Sequence, residues 1–191
     1  MMRKGNLTLF IVLSILVLAS AACAGQSGST YPATPINPEN QQGLLAPDFE
    51  ITVYQGAGVL GGEKVMFSEV LAQGHPVVLN FWAGLCPPCR VEMPDLQEVH
   101  GKYQGRVLLF GLDVGPFVGL GSREDGQALL EELKVTYPTG TTFDANVVRD
   151  YQVLGMPTTL FIKPNGEVIR NWTGLLNQQK LEELVEELLA S

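Results

Sequence analysis

The 191-residue sequence predicts an α/β fold, a mixed central sheet flanked by helices. Three observations carry this. Two apolar, β-rich runs at 76–82 and 106–114 bracket a helical stretch, which makes a βαβ unit with a right-handed crossover and a parallel strand pair. Pro164-Asn165-Gly166 stands between runs at 159–163 and 167–173, the pattern of an antiparallel hairpin. Finally, Leu181, Leu184, Val185, Leu188 and Leu189 fall on one face of a C-terminal helix with glutamates opposite, a stripe suited to core packing.

Taken in order, the chain opens with Arg3 and Lys4, then an apolar run at 7–19, then Ser20-Ala21-Ala22-Cys23. This is the plan of an export signal over residues 1–23. Small residues before Cys23 resemble a lipoprotein signal, in which Cys23 would be lipidated. Ser20 stands where that pattern usually has Leu, so ordinary cleavage after Ala22 and a retained anchor stay open. All three place the rest of the chain outside the cytoplasm, the first and third attached to the cell membrane through the N-terminus. Residues 24–43 are Gly-, Ser-, Thr- and Pro-rich with few apolar residues, which reads as a flexible linker with a reach of about 25 Å. Residues 44–191 then form one domain.

Within that domain, 49–54 alternates as a strand, 56–62 is a turn region, and 65–67 pairs back to complete an N-terminal β-hairpin. Ser68 is placed to cap a short helix ending at Gly74. The helix after the 76–82 strand is expected to kink at Pro94 and end near Gly101. A glycine-rich loop spans 115–121, and Ser122 with Asp125 forms a capping arrangement for a helix bearing Leu129, Leu130 and Leu133. Asp144 caps an inserted short helix to Tyr151. Asn177 precedes the last helix.

The chemistry concentrates at Cys86-Pro87-Pro88-Cys89, where the 76–82 strand hands over to a helix. Pro87 and Pro88 suit a first helical turn, whose N–H groups lack intrahelical acceptors. The first thiol therefore faces a helix N-terminus, which favours its thiolate. Lowering a thiol pKa from about 8.5 to about 7 raises the thiolate fraction at pH 7 roughly 16-fold, while lost nucleophilicity returns roughly 6-fold. Position thus matters more for leaving-group ability, redox poise and access than for attack rate. Cys86 is expected to be the exposed nucleophile and Cys89 the resolving thiol. A structural staple closing four residues would contribute only about 2 kcal/mol. A zinc site would need four ligands from Cys86, Cys89 and the scattered His75 and His100. The flanking prolines and glycine argue against a buried, inert pair.

Composition narrows the field further. A formal net charge of −8 with no Lys/Arg cluster argues against a nucleic-acid partner. Of three cysteines, only Cys86 and Cys89 form a plausible intramolecular redox couple, so the redox-active disulfide serves without a separate cofactor.

The motif Phe81-Trp82-Ala83-x-x-Cys86-x-x-Cys89-Arg90-x-Glu92-Met93-Pro94 resembles the TlpA/ResA branch of thioredoxin-like proteins, in the AhpC/TSA-redoxin superfamily. Ala46-Pro47-Asp48-Phe49 and Gly155-Met156-Pro157-Thr158 support the likeness, which spans Leu44 to the C-terminus. It implies a thioredoxin-like fold and a cis Pro157 beside the disulfide, so that the backbone of Met156 can pair with an extended substrate. Asn80 replaces the buried Asp of cytosolic thioredoxins, so their proton relay does not carry over. Glu92 matches the acid that ResA-type proteins place near the active site. Partly buried, it would exchange protons with Cys89; the alternative is a surface glutamate early in a helix. Trp82 either packs beside the disulfide and limits water access or is plain core.

The resemblance implies an extracytoplasmic, membrane-tethered thiol–disulfide oxidoreductase that reduces disulfides of exported proteins such as apocytochrome c. Its electrons would come from a membrane thiol carrier of the CcdA/DsbD kind. Two rivals stand beside it. A peroxiredoxin-like peroxidase needs a hydroxyl three residues before its cysteine and Pro seven before, where this chain has Ala83 and Leu79. A Cu(I)-delivery module would use Cys86 and Cys89 as soft ligands.

Overall fold

The computed structural model describes residues 43–191. The readings of the export signal, of Cys23 and of nearly all the linker lie outside the described residues. Eight strands form one mixed sheet: β1 (Leu44–Leu45), β2 (Glu50–Gln55), β3 (Lys64–Met66), β4 (Val77–Trp82), β5 (Leu108–Asp113), β6 (Thr139–Thr141), β7 (Thr158–Ile162) and β8 (Glu167–Thr173). Their spatial order is β1-β8-β7-β4-β5-β6-β2-β3. Strands β4 and β5 run parallel from Val77↔Leu108 to Trp82↔Asp113, while β7 pairs antiparallel on the other side of β4. The helices are α1 (Ala57–Leu60), α2 (Phe67–Leu71), α3 (Pro87–Tyr103), α4 (Gly115–Val118), α5 (Arg123–Leu133), α6 (Asn146–Asp150) and α7 (Gln178–Ala190). This is the predicted thioredoxin-like arrangement.

All six residues of β4 are buried, and alternation sends them to two cores. Val77, Leu79 and Phe81 pack with Phe49, Phe67, Phe110 and Tyr151. Val78 and Trp82 face the other way, into the cluster that holds both cysteines, Met93 and Leu96 of α3, and Leu181, Leu184, Val185 and Leu188 of α7. The apolar stripe of α7 is thus core. Asn177 starts α7 as expected, its side chain accepting from the N–H of Lys180 at 2.9 Å. Ser122 and Asp125 form the expected capping box on α5.

Several local expectations are corrected. Ser68 does not cap α2; Glu69 reaches back to the N–H of Met66 at 2.8 Å, while both oxygens of Asp48 engage the backbone and hydroxyl of Ser68. The 56–62 and 115–121 segments each contain a helical turn, α1 and α4. Helix α3 runs through Pro94 and ends at Tyr103, near Gly101 as expected. The strand β6 went unforeseen, being three residues of Thr-Gly-Thr with no apolar alternation to announce it.

Candidate active site

The loop after β4 is built to bring Cys86 to the head of α3. A Cβ at Gly84 would lie 2.5 Å from the backbone of Asp125 and Gly126, so only glycine lets the loop pass against α5. Cys86 then adopts an extended conformation as the N-cap, and Pro87 and Pro88 occupy the first helical turn, where no donor is missed. The N–H of Cys89 donates to Cys86 Sγ at 3.2 Å. The sulfur therefore accepts one of the helix's free N–H groups, the placement that stabilises a thiolate once the bond is reduced.

Cys86 and Cys89 are joined as a disulfide. Cys86 is 2 % exposed, which corrects the expectation of an exposed nucleophile. Bonded to Cys89, its sulfur turns into the helix start and the core cluster that also contains Trp82 and Met93. The accessible neighbour is Leu85, 59 % exposed. Trp82 is fully buried in that same cluster and pairs with Asp113 across β4 and β5.

Glu92 is buried, and the surface alternative falls. The N–H of Leu176 donates to its Oε1 at 3.1 Å, and Asn80 Nδ2 reaches Oε2 at 3.5 Å while donating to Thr159 Oγ1 at 2.9 Å. Desolvation dominates these two bonds and pushes the carboxyl up to about 8, with Asp95 adding a smaller rise. At neutral pH Glu92 holds its proton. Asn80, equally buried, replaces a charge with an amide that can bond both Glu92 and Thr159.

The Met156–Pro157 peptide bond is cis, and Met156 packs against both core clusters. Thr158, next in line, opens β7, whose Thr159 lies opposite Asn80. The chain thus passes from Pro157 directly into the strand carrying Asn80's partner. Among the described residues no cluster of three or more His, Cys, Asp or Glu side chains stands ready to hold a metal. The copper alternative would rest on the two thiols alone.

A second buried carboxyl escaped the sequence reading. Asp113 ends β5 with no exposed surface, accepting from Tyr54 Oη at 3.0 Å and from the N–H of Gly115 at 2.9 Å. Burial pushes it up to about 6; those bonds and Arg123 oppose the rise, and Asp125 adds to it. The one available signal was a charge closing a strand of otherwise apolar residues.

Comparison with known proteins agrees with this geometry. The model of the AhpC/TSA family matches residues 43–171. The thiol–disulfide oxidoreductase ResA of Oceanobacillus iheyensis is 32% identical over 140 residues, covering 73% of this chain and 69% of that one. ResA of Bacillus thuringiensis subsp. konkukian is 26% identical over 189 residues, 97% of this chain and 98% of its own. Among solved structures, a putative thiol:disulfide interchange protein DsbE from Chlorobium tepidum superposes with a TM-score of 0.65 at 25% identity, over 78% of this chain and 97% of that one. StoA from Bacillus subtilis shares the fold, with a TM-score of 0.59 at 19% identity over 74% and 98% of the two chains. Trp82, the disulfide at the head of α3 and the proton-bearing Glu92 thus belong to a chain of the AhpC/TSA family, one of its thiol–disulfide oxidoreductases.

Proposed function

We propose that the protein reduces disulfides of exported partner proteins through the Cys86–Cys89 dithiol. The observation that carries this is the acceptance of the Cys89 N–H by Cys86 Sγ at the start of a 17-residue helix. In the reduced protein the Cys86 thiolate attacks a partner disulfide, forming a mixed disulfide and releasing one partner thiolate, which takes up a proton. Cys89 loses its proton and attacks Cys86 Sγ, expelling the second partner thiolate, which is protonated in turn. The partner gains two electrons and the Cys86–Cys89 disulfide forms. Glu92, one helical turn beyond Cys89, takes the proton from Cys89 through the ionised fraction it keeps near neutrality, and as the acid it returns a proton when the disulfide is reduced again. A carboxyl that titrates near 8 is matched to both directions at neutral pH.

An extended client segment docks along the backbone of Met156, just before β7, where strand-like pairing gives affinity without strict sequence demand. Residues 1–23 form the export signal, 24–43 the linker and 44–191 the catalytic domain. The domain works outside the cytoplasm, held to the membrane through the N-terminus, with lipidation of Cys23 the favoured attachment. No helix among the described residues is long and apolar enough to cross a membrane. Apocytochrome c is the favoured client, and a membrane thiol carrier of the CcdA/DsbD kind renews the dithiol.

The test is the reduction potential of the couple in the full chain, equilibrated with dithiothreitol or glutathione buffers and read by mass spectrometry at Cys86 and Cys89. A value near or below about −270 mV is expected of a reductant; one approaching about −120 mV marks an oxidant and overturns the reading.

A further inference from the structure

The exchange just described makes no use of Asp113, yet an unbroken line of hydrogen bonds joins its carboxylate to the cysteine loop. Asp113 Oδ1 accepts from the N–H of Gly115 at 2.9 Å. The carbonyl of Gly115 accepts from the N–H of Leu120 at 3.1 Å, and the carbonyl of Leu120 accepts from the N–H of Leu85 at 2.8 Å. Leu85 immediately precedes Cys86. The same loop is fastened to the end of β4, since the N–H of Val114 donates to the carbonyl of Trp82 at 3.0 Å.

The surroundings hold the carboxylate in place on every side. Tyr54 Oη donates to Oδ2 from β2, and Thr141 Oγ1 donates to the carbonyl of Asp113 from β6 at 2.9 Å. Helix α5 closes the remaining side. A Cβ at Gly126 would stand 2.4 Å from Asp113 Oδ2 and 3.4 Å from the ring of Trp82, so α5 backbone lies directly against both. That same turn of α5 touches Gly84 on its other flank. The carboxylate and the cysteine loop are therefore braced by one helix turn and by one loop.

We propose that Asp113 is a positioning residue for thiol–disulfide exchange: by holding Gly115 it sets the 114–120 loop and, through Leu120, the peptide of Leu85, keeping Cys86 Sγ against the N–H of Cys89. The inference rests on the reading of Cys86 as the nucleophile. The titratable and charged groups facing Asp113 are Tyr54 from β2 and Arg123 and Asp125 from α5. With titration near 6, the carboxylate form prevails above neutrality, and an ionised acceptor holds the Gly115 N–H more firmly than a neutral acid.

The experiment compares the full-length wild type with Asp113→Ala and Asp113→Asn. Each is reduced, and alkylation of Cys86 by iodoacetamide is followed by peptide mass spectrometry; amide shifts of Gly115 and Leu85 are recorded from pH 4.5 to 8. Asp113→Ala should slow Cys86 alkylation at pH 7 by about threefold, the net kinetic worth of the helix-start placement. Asp113→Asn retains an oxygen for the Gly115 N–H and should alkylate at close to the wild-type rate. In the wild type both amides should titrate together near pH 6, a coupled step that Asp113→Asn abolishes. A folded Asp113→Ala that alkylates at the wild-type rate overturns the proposal. If Asp113→Ala does not fold, a wild-type Leu85 amide that stays still while Gly115 titrates overturns it equally. Wild-type protein that cannot exchange with oxidised glutathione refutes the oxidoreductase reading instead.

Discussion

Glu92 and Asp113 are both buried beside the same cysteine loop, and burial raises both, yet Glu92 reaches about 8 while Asp113 stops at about 6. Their partners account for the gap. Asp113 accepts two short bonds, from Gly115 and Tyr54, and feels the cation of Arg123. Glu92 has one bond of 3.1 Å, a second of 3.5 Å, and the like charge of Asp95 nearby. Desolvation is the largest cause in both, and the supply of close donors moderates how far it raises each acid. At pH 7 the first residue carries a proton and the second a charge, which suits one to proton transfer and the other to holding a loop.

The largest effect should come from removing the proton carrier. Glu92→Gln should slow disulfide exchange by about 100-fold, the lower end for a lost general acid–base group, and erase the limb of the rate profile near pH 8. Stability offers an independent check. Because the folded value lies above the unfolded one, the protonated form stabilises the fold at low pH, and that stability is lost as pH rises from about 4.5 through about 8. Denaturant melts should show about 3 kcal/mol lost between pH 4.5 and 7, a slope that Glu92→Gln flattens. An unchanged slope would place the upper titration elsewhere.

Gly126→Ala tests the other carboxyl. Gly to Ala within a helix ordinarily gains about 1 kcal/mol. Here the new Cβ would fall 2.4 Å from a buried carboxylate oxygen that accepts from Tyr54, so the sign should invert to a loss of about 2 kcal/mol by chemical denaturation. A gain would show that Asp113 can swing aside, and the contrast with Glu92 would collapse. Tyr54→Phe is the mildest change. It removes one donor from Asp113, costs about 1 kcal/mol and moves the lower titration above 6, measured by the Gly115 amide shift.

Much of this was legible in the residues themselves. The strand, glycine and paired prolines around Cys86 announced a thiol at a helix start, and Ser122 with Asp125, the Pro164-Asn165-Gly166 turn and Asn177 marked boundaries by local chemistry. What stayed open or was missed shares a cause. Glu92 was expected as an interior acid with a surface alternative, and only Asn80 and Leu176, distant in sequence, decide between the two. Likewise Asp113 gains its meaning from Tyr54, 59 positions away. β6 is a strand because β2 and β5 flank it, and Thr139 to Thr141 carry no pattern of their own. Cys86 appeared exposed because nothing in its neighbours states that the disulfide folds inward.

The order of the sheet has a consequence for how its edges meet other chains. From β1, paired with β8 at one border, the chain moves at once to the opposite border, where β2 and β3 complete the array. The outermost strands are consequently two and three residues long, and the second carries Lys64. Rows of unpaired backbone groups that short offer little template for a foreign strand. If extended clients dock along the backbone of Met156 as proposed, edges this short keep the same pairing from beginning an aggregate along the domain's flanks.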